Sequence, residues 1–284
     1  MSDDDQPGHT YGAARYAALD DGRRLHYWVR GTGSPTVVFE SGAGMSGATW
    51  GLVQPAVAAH TTTVVYDRAG AGDSDDDNRP RSMQRMVDDL AQLLRHLEGP
   101  FVLVGASLGG PLIRSVAATG EFAIRGLVLV DQADEHGTEI FSRSGENHTA
   151  RTVRLTAALA RLGLYRLFAW PGRHQPADVQ ADLRRHLATR GARQMAAELV
   201  DFLPALYALH ENPPRLDDIE VAVISGTKNN FLERKTRPAI NRAHTATAAA
   251  LAMGRLVEAR SSGHYIAFSE PEIVVGQILS MLGT

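Results

Sequence analysis

Two hydrophobic periods alternate along this chain. Short, continuous apolar runs rich in β-branched residues recur at Thr36-Val37-Val38-Phe39, Thr62-Thr63-Val64-Val65-Tyr66, Phe101-Val102-Leu103-Val104, Leu127-Val128-Leu129-Val130 and Val221-Ala222-Val223-Ile224. A strand with one face in water alternates apolar and polar positions. These runs do not, so they predict strands covered on both faces, as in a parallel sheet between helices. Between them the period lengthens. Over 81–98, Met86, Leu90, Leu93, Leu94 and Leu97 form one helical stripe, and Gly99-Pro100 stops it before the next strand. Helices are also predicted over 49–59, 111–118 and 271–282, and a last strand over 255–259. Strand then helix, repeated, predicts an α/β fold with a mostly parallel sheet. Near the start, 16–20 and 23–29, joined by Asp21-Gly22, predict a hairpin at the sheet's edge.

The alternation stops between about His136 and Asp218. No strand pattern occurs there. Helices are predicted over 151–168, 177–189 and 194–210, punctuated by Pro171, Pro176 and Pro213-Pro214. The expected organisation is a core over 12–135 and 219–284, interrupted by an all-helical cap over 136–218. An independent helical domain is the alternative.

Composition narrows the classes. A chain of 284 residues, 44% hydrophobic and 21% charged, can bury a full core. A formal charge of −3 leaves no electrostatic footprint for nucleic acid. The absence of cysteine excludes disulfides, cysteine metal sites and a catalytic thiol. No run approaches the roughly 18 apolar residues of a membrane span, and the polar, acidic start lacks a secretory pattern. The expectation is a cytoplasmic protein without a membrane partner. Lysine occurs only at 228 and 235, a usage that, with abundant Ala and Gly, suits a GC-rich bacterial genome. The acidic run from Asp73 to Asp77 reads as a solvated loop.

Gly105-Ala106-Ser107-Leu108-Gly109 lies between a predicted strand and a predicted helix. This is G-x-S-x-G in the setting of a nucleophile elbow, where a sharp turn exposes the serine and the glycines allow backbone to pack on backbone. A serine hydroxyl needs a base. Of the 11 histidines, His264 is the candidate: it lies in Ser262-Gly263-His264-Tyr265, past the last strand and before the last helix. A loop there reaches the sheet edge at which α/β folds bind ligands. A surface histidine is the alternative.

These segments, with two others, resemble the α/β-hydrolase superfamily over roughly 16–282, least in the cap. Phe39-Glu40-Ser41-Gly42-Ala43-Gly44 is similar to its oxyanion loop, and Tyr66-Asp67-Arg68-Ala69-Gly70-Ala71-Gly72-Asp73-Ser74-Asp75 to its D-R-x-G-x-G-x-S-D loop. The resemblance implies Ser107 as nucleophile, His264 as base, and the backbone N–H groups of Ala43 and Leu108 as oxyanion donors. It implies no metal and no organic cofactor. Many relatives place the acid three residues past the glycine ending the strand before the last; here Gly226 leads to Asn229, which cannot be an anion. Other members carry the acid after the strand that follows the elbow. Leu129-Val130-Asp131-Gln132-Ala133 is similar to their pattern, which makes Asp131 the expected acid, with Asp134 and Glu135 as fallbacks.

The expected activity is therefore hydrolysis of a small-molecule carboxylic ester or lactone. Superfamily members that open epoxides use an aspartate where Ser107 stands. A ligand receptor with little turnover is one alternative. A nucleotide-dependent oxidoreductase is another, because Gly42-Ala43-Gly44-Met45-Ser46-Gly47 is also G-x-G-x-x-G, with Asp67 about 25 residues on. Trp50, Phe168 and Trp170 are candidate pocket residues, though packing onto the sheet domain is the plainer reading of Leu155, Leu159, Leu162, Leu164, Leu167 and their aromatic neighbours at helical spacing. Arg184, Arg185, Arg190 and Arg193 suggest a solvated helix face, or an anionic group on the substrate.

Overall fold

A computed structural model describes residues 8–142, 145, 147, 150–151, 154–155, 158–159, 162, 164–228 and 233–283, with the side chains of 166 and 168 outside that set. Eight strands form one sheet: β1 (Ala13–Ala18), β2 (Arg24–Arg30), β3 (Thr36–Glu40), β4 (Thr63–Tyr66), β5 (Phe101–Ala106), β6 (Ile124–Val130), β7 (Glu220–Gly226) and β8 (Gly254–Ala259). Their order across the sheet is β1-β2-β4-β3-β5-β6-β7-β8. β1 and β2 run antiparallel to their neighbours, and β4 through β8 pair in parallel. This is the α/β-hydrolase architecture.

The continuous apolar runs are buried on both faces, as their pattern demands. Val38, Leu103, Leu127, Leu129, Val221 and Val223 face one core with the stripe Met86, Leu90, Leu93 and Leu94 of helix Met83–Arg95. Val37, Phe39, Val102, Val104, Val128 and Ile224 face the other, with Val274 and Ile278 of helix Pro271–Leu282. Helix Met83–Arg95 begins where Ser82 Oγ accepts the Arg85 N–H at 3.2 Å, satisfying one orphan donor of the first turn.

Between β6 and β7 the described residues form only helical elements and loops. Helix Ala177–Thr189 packs Val179, Leu183 and Leu187 into the second core, and helix Phe202–Glu211 sends Phe202 and Leu206 into the first. No helix among the described residues is long and apolar enough to cross a membrane.

Several boundaries differ from expectation. The hairpin strands are Ala13–Ala18 and Arg24–Arg30, because Leu19 is drawn into the core and its N–H closes the loop on Arg23 O at 2.8 Å. The helix expected over 194–210 is two helices, Gly191–Glu198 and Phe202–Glu211. Glu198 turns inward to a buried cation, and Asp201 turns outward to accept the Met83 N–H at 3.2 Å. Residues 152–153, 156–157, 160–161 and 163 of the helix expected over 151–168 lie outside the described residues, and Tyr165–Gly172 is a 3₁₀ helix. Helix Arg237–Ala250 was not expected; it is Ala-rich and carries no long apolar stripe.

Leu90 has no exposed surface and sits mid-stripe. Leu90→Ala should lower the unfolding free energy by about 2–5 kcal/mol in urea titration. A loss below about 0.5 kcal/mol would show that this stripe does not anchor the helix.

Candidate active site

The elbow is a consequence of close approach. Ser107 links β5 to helix Gly109–Ala117 with φ +52°, a left-handed conformation that costs a non-glycine residue free energy. Three backbone bonds impose it. The Ser107 N–H donates to Val130 O at 3.1 Å, and Ser107 O accepts the N–H groups of Ala133 at 2.9 Å and Gly110 at 3.1 Å. A Cβ on Gly105 would stand 2.5 Å from Gly109 O, and one on Gly109 would stand 2.7 Å from Glu40 O. Glycine is therefore required at both positions. The loop after β3 passes directly beside the serine: a Cβ on Gly42 would lie 3.2 Å from Ser107 Cβ.

Asp131 ends β6 and is the other described non-glycine residue with positive φ, at +42°. It is fully buried. Its Oδ2 lies 2.7 Å from His264 Nδ1, while Oδ1 accepts Gly226 N–H at 3.0 Å and Arg237 Nη1–H at 2.7 Å. Burial pushes this carboxyl up, but the bond to His264 and the charges of His264, His244 and Arg237 outweigh it and hold it well below the ordinary range. Burial pulls the His264 imidazole down, and the Asp131 bond and charge more than reverse that. An ionised carboxylate only accepts, so Nδ1 carries the proton and Nε2 is left as the acceptor. The His264 side chain is 39% exposed. Ser107 and His264 are thus both fastened to the end of β6, through Val130 and Asp131. Among the described residues no hydrogen bond joins Ser107 Oγ to His264; such bonds are often long until substrate is present.

The fallback acids are engaged elsewhere. Asp134 accepts from Gln132 Nε2 at 2.8 Å and Thr247 Oγ1 at 2.6 Å, and Glu135 pairs with buried Arg114. With His136 they form a group whose donor atoms lie within 4.8 Å, close enough for a metal, but those bonds occupy it as a brace of the loop after β6. Asn229 lies outside the described residues.

The loop after β3 is held from beneath by a buried charge. Arg68 donates to Glu40, to Ser41 O at 2.6 Å, to Gly42 O at 2.7 Å and to Glu198 at 2.8 and 2.9 Å. Glu198 Oε2 also accepts Gly44 N–H at 2.8 Å, and His186 Nε2 lies 2.9 Å from Gly44 O. Desolvation opposes the charged form of Glu198, yet Arg68 and the Gly44 N–H hold its carboxyl below the usual range. Among the described residues, no protein acceptor takes the N–H of Ala43 or of Leu108. Two donors beside Ser107 are left open while the groups around them are satisfied.

The aromatic pocket candidates are placed otherwise. Trp50 is core, not pocket wall: it has no exposed surface, tilts on Phe39 and donates Nε1–H to Ser41 Oγ at 3.1 Å. Trp170 is 68% exposed and carries Arg173 over its ring. The Phe168 side chain lies outside the described residues. The acidic loop is not simply solvated, because Asp77 is buried among Arg23, Arg81 and Arg85. Arg185 pairs with Asp73, and Arg190 donates to Ser74 O, so two of the four arginines dock the insertion onto that loop. The glycine run 42–47 enters the 3₁₀ turn Gly47–Trp50 rather than a long helix. Asp67 is buried and accepts from Gly47 N and Asp73 N, which removes the ribose partner an oxidoreductase would need.

Arg68 and its partners Glu40, Ser41 and Gly42 stood within motifs, but Glu198 did not. Glu198, His186 and Arg237 carried no sequence signal, because each meets its partner more than a hundred residues away, and Glu233 carried none because it acts through Arg237 and the His264 backbone.

The model of the Alpha/beta hydrolase family matches residues 37–277. The uncharacterised protein YqjL of Bacillus subtilis is 32% identical over 116 residues, 40% of this chain and 46% of that protein. The chain spans under half the length of the curated relatives it matches. An esterase from Exiguobacterium antarcticum superposes with TM-score 0.76 at 17% identity, covering 96% of this chain and 100% of that one. Epoxide hydrolase CorEH gives TM-score 0.70 at 21% identity, covering 95% and 98%. At these identities the likeness is one of fold.

Arg68→Met leaves two buried carboxylates without their cation. It should cost about 3–5 kcal/mol in urea unfolding at neutral pH. A cost below 1 kcal/mol would show that the loop after β3 does not depend on this guanidinium.

Proposed function

This chain belongs to the Alpha/beta hydrolase family, and from that premise we propose that it is a serine hydrolase cleaving a carboxylic ester or lactone through an acyl-enzyme on Ser107. The observation that carries the reading is the Asp131–His264 contact at 2.7 Å, anchored to the same strand end that holds Ser107 at φ +52°.

In this mechanism Ser107 Oγ attacks the carbonyl carbon and its proton passes to His264 Nε2. The tetrahedral oxyanion accepts the N–H groups of Ala43 and Leu108, two backbone donors that no described protein group takes. The acyl C–O bond breaks, and the proton on Nε2 goes to the departing alkoxide, which for a lactone stays tethered to the acyl group. Water then attacks the acyl-enzyme, giving its proton to Nε2; the bond to Ser107 Oγ breaks as Nε2 returns that proton to Oγ, releasing the acid and restoring the free serine. Asp131 keeps Nδ1 protonated and balances the imidazolium. Epoxide opening in this superfamily forms an ester on a carboxylate nucleophile, and a serine occupies that place here. The insertion over 136–218 acts as the cap: its Glu198 and His186 touch Gly44, one residue from the Ala43 donor.

Fluorophosphonate labelling should place a phosphonate on Ser107, located by peptide mass spectrometry and abolished in Ser107→Ala. A folded wild-type protein without adduct would overturn the reading. On an ester or lactone panel, Asp131→Asn should cut turnover by about 10³–10⁴-fold. Asn229→Ala should change it by less than about twofold; the reverse ranking would move the acid to the other strand end.

A further inference from the structure

Two residues outside every motif close a ring around His264. Arg237, first in helix Arg237–Ala250, is 2% exposed and lies under Asp131. Its Nη1 donates to Asp131 Oδ1 at 2.7 Å, and its Nε donates to Glu233 Oε2 at 3.1 Å, with Nη2 on the same oxygen. The other Glu233 oxygen, Oε1, accepts the backbone N–H of His264 at 3.4 Å. The ring runs Asp131, Arg237, Glu233, His264 and back to Asp131 through the 2.7 Å bond at Nδ1. His264 is therefore held twice, by its ring and by its backbone.

Resting on the reading of Ser107 as nucleophile and His264 as its base, we propose that Arg237 and Glu233 are positioning residues that set the proton affinity of His264. Arg237 shares the Asp131 carboxylate with the imidazole and weakens its pull. Glu233 fixes the His264 backbone and adds a second anion at its far side. A buried carboxylate facing an imidazole alone favours imidazolium, which is useless as a base. A cation on the opposite carboxylate oxygen corrects this without breaking the orienting bond.

The charged and titratable groups that act on the pair among the described residues come from three places. Arg237 and His244 come from helix Arg237–Ala250, Glu233 from the segment before it, and Tyr265 from the segment of His264 itself. His244 has its ring nitrogens on Ser225 Oγ at 2.8 Å and Gln132 O at 2.9 Å. It lies 4.0 Å from Asp131 Oδ1. The Arg237 charge lowers the His264 pKa and the Glu233 charge raises it, so removing each acts with opposite sign.

The test is the pH dependence of Ser107 phosphonylation by a fluorophosphonate, on the full chain. The acid limb reports loss of the His264 proton. In Arg237→Gln the limb should move up by about one pH unit, since a removed cation favours imidazolium. In Arg237→Lys it should return toward the wild-type position. In Glu233→Gln it should move down. A purely structural role predicts slower labelling at every pH with an unmoved limb, and that result overturns the proposal. Should Arg237→Gln fail to fold, Glu233→Gln, on a 22% exposed side chain, decides alone: an unmoved limb overturns it. A wild type that takes no phosphonate overturns the serine-hydrolase reading itself, a result distinct from a labelled wild type whose variants share its limb.

Discussion

A buried guanidinium cannot remain unpaired, and much of this site follows from how Arg68 is satisfied. Its two carboxylate partners come from distant places: Glu40 ends β3, and Glu198 ends helix Gly191–Glu198 of the insertion. Its remaining donors take the carbonyls of Ser41 and Gly42. One desolvated charge thereby ties the sheet, the loop beside Ser107 and the insertion together. Loosening any partner leaves charge in a low-dielectric interior, where it costs far more than at the surface. The loop is tied down because its carbonyls accept hydrogen bonds from a cation that two carboxylates neutralise.

The second organising point is the end of β6. Parallel pairing sets Ala106 beside Val130 and Val130 beside Ile224, so the chain leaves β5 and β6 at one level, while β7 runs on to Gly226. Residues one step beyond, Ser107 and Asp131, continue the ladder with N–H bonds to Val130 O and Ile224 O. Both adopt positive φ, because the ladder holds the peptide while the chain must turn away. An acid here reaches His264 because the turn 262–263 packs tightly on Gly226, where any Cβ would overlap the backbone of Gly263. Asp131 then bridges β7 and the histidine loop through one carboxylate.

Local chemistry made much of this legible in the chain itself. Continuous β-branched runs could only be doubly covered strands, and the stripe Met86, Leu90, Leu93 and Leu94 could only be one helix face. The elbow was legible because Gly105 answers a steric demand from Gly109, four residues on, although the demand on Gly109 itself comes from Glu40 across the fold. Boundaries slipped where a distant group intervened. Leu19 left the hairpin strand for the core, and the helix around Glu198 broke where that carboxylate turned to Arg68. Trp50 reads as pocket or packing from sequence, and its complete burial, its contact with Phe39 and its bond to Ser41 Oγ settle its place in the core.

The chain alone determined what depends on neighbouring residues: hydrophobic period, turn sterics, and which residue types stand ready at the strand ends. Tertiary structure decided which charges meet. Arg68 finds Glu198 across 130 residues, and Arg237 finds Asp131 across 106. Such pairs leave no periodic trace, because a side chain's partner is set by the crossing of elements in space. Period and sterics act between residues the backbone already holds close. Electrostatic pairing acts between residues that only the finished fold brings within reach, and the polar network beneath and around His264 is of that kind.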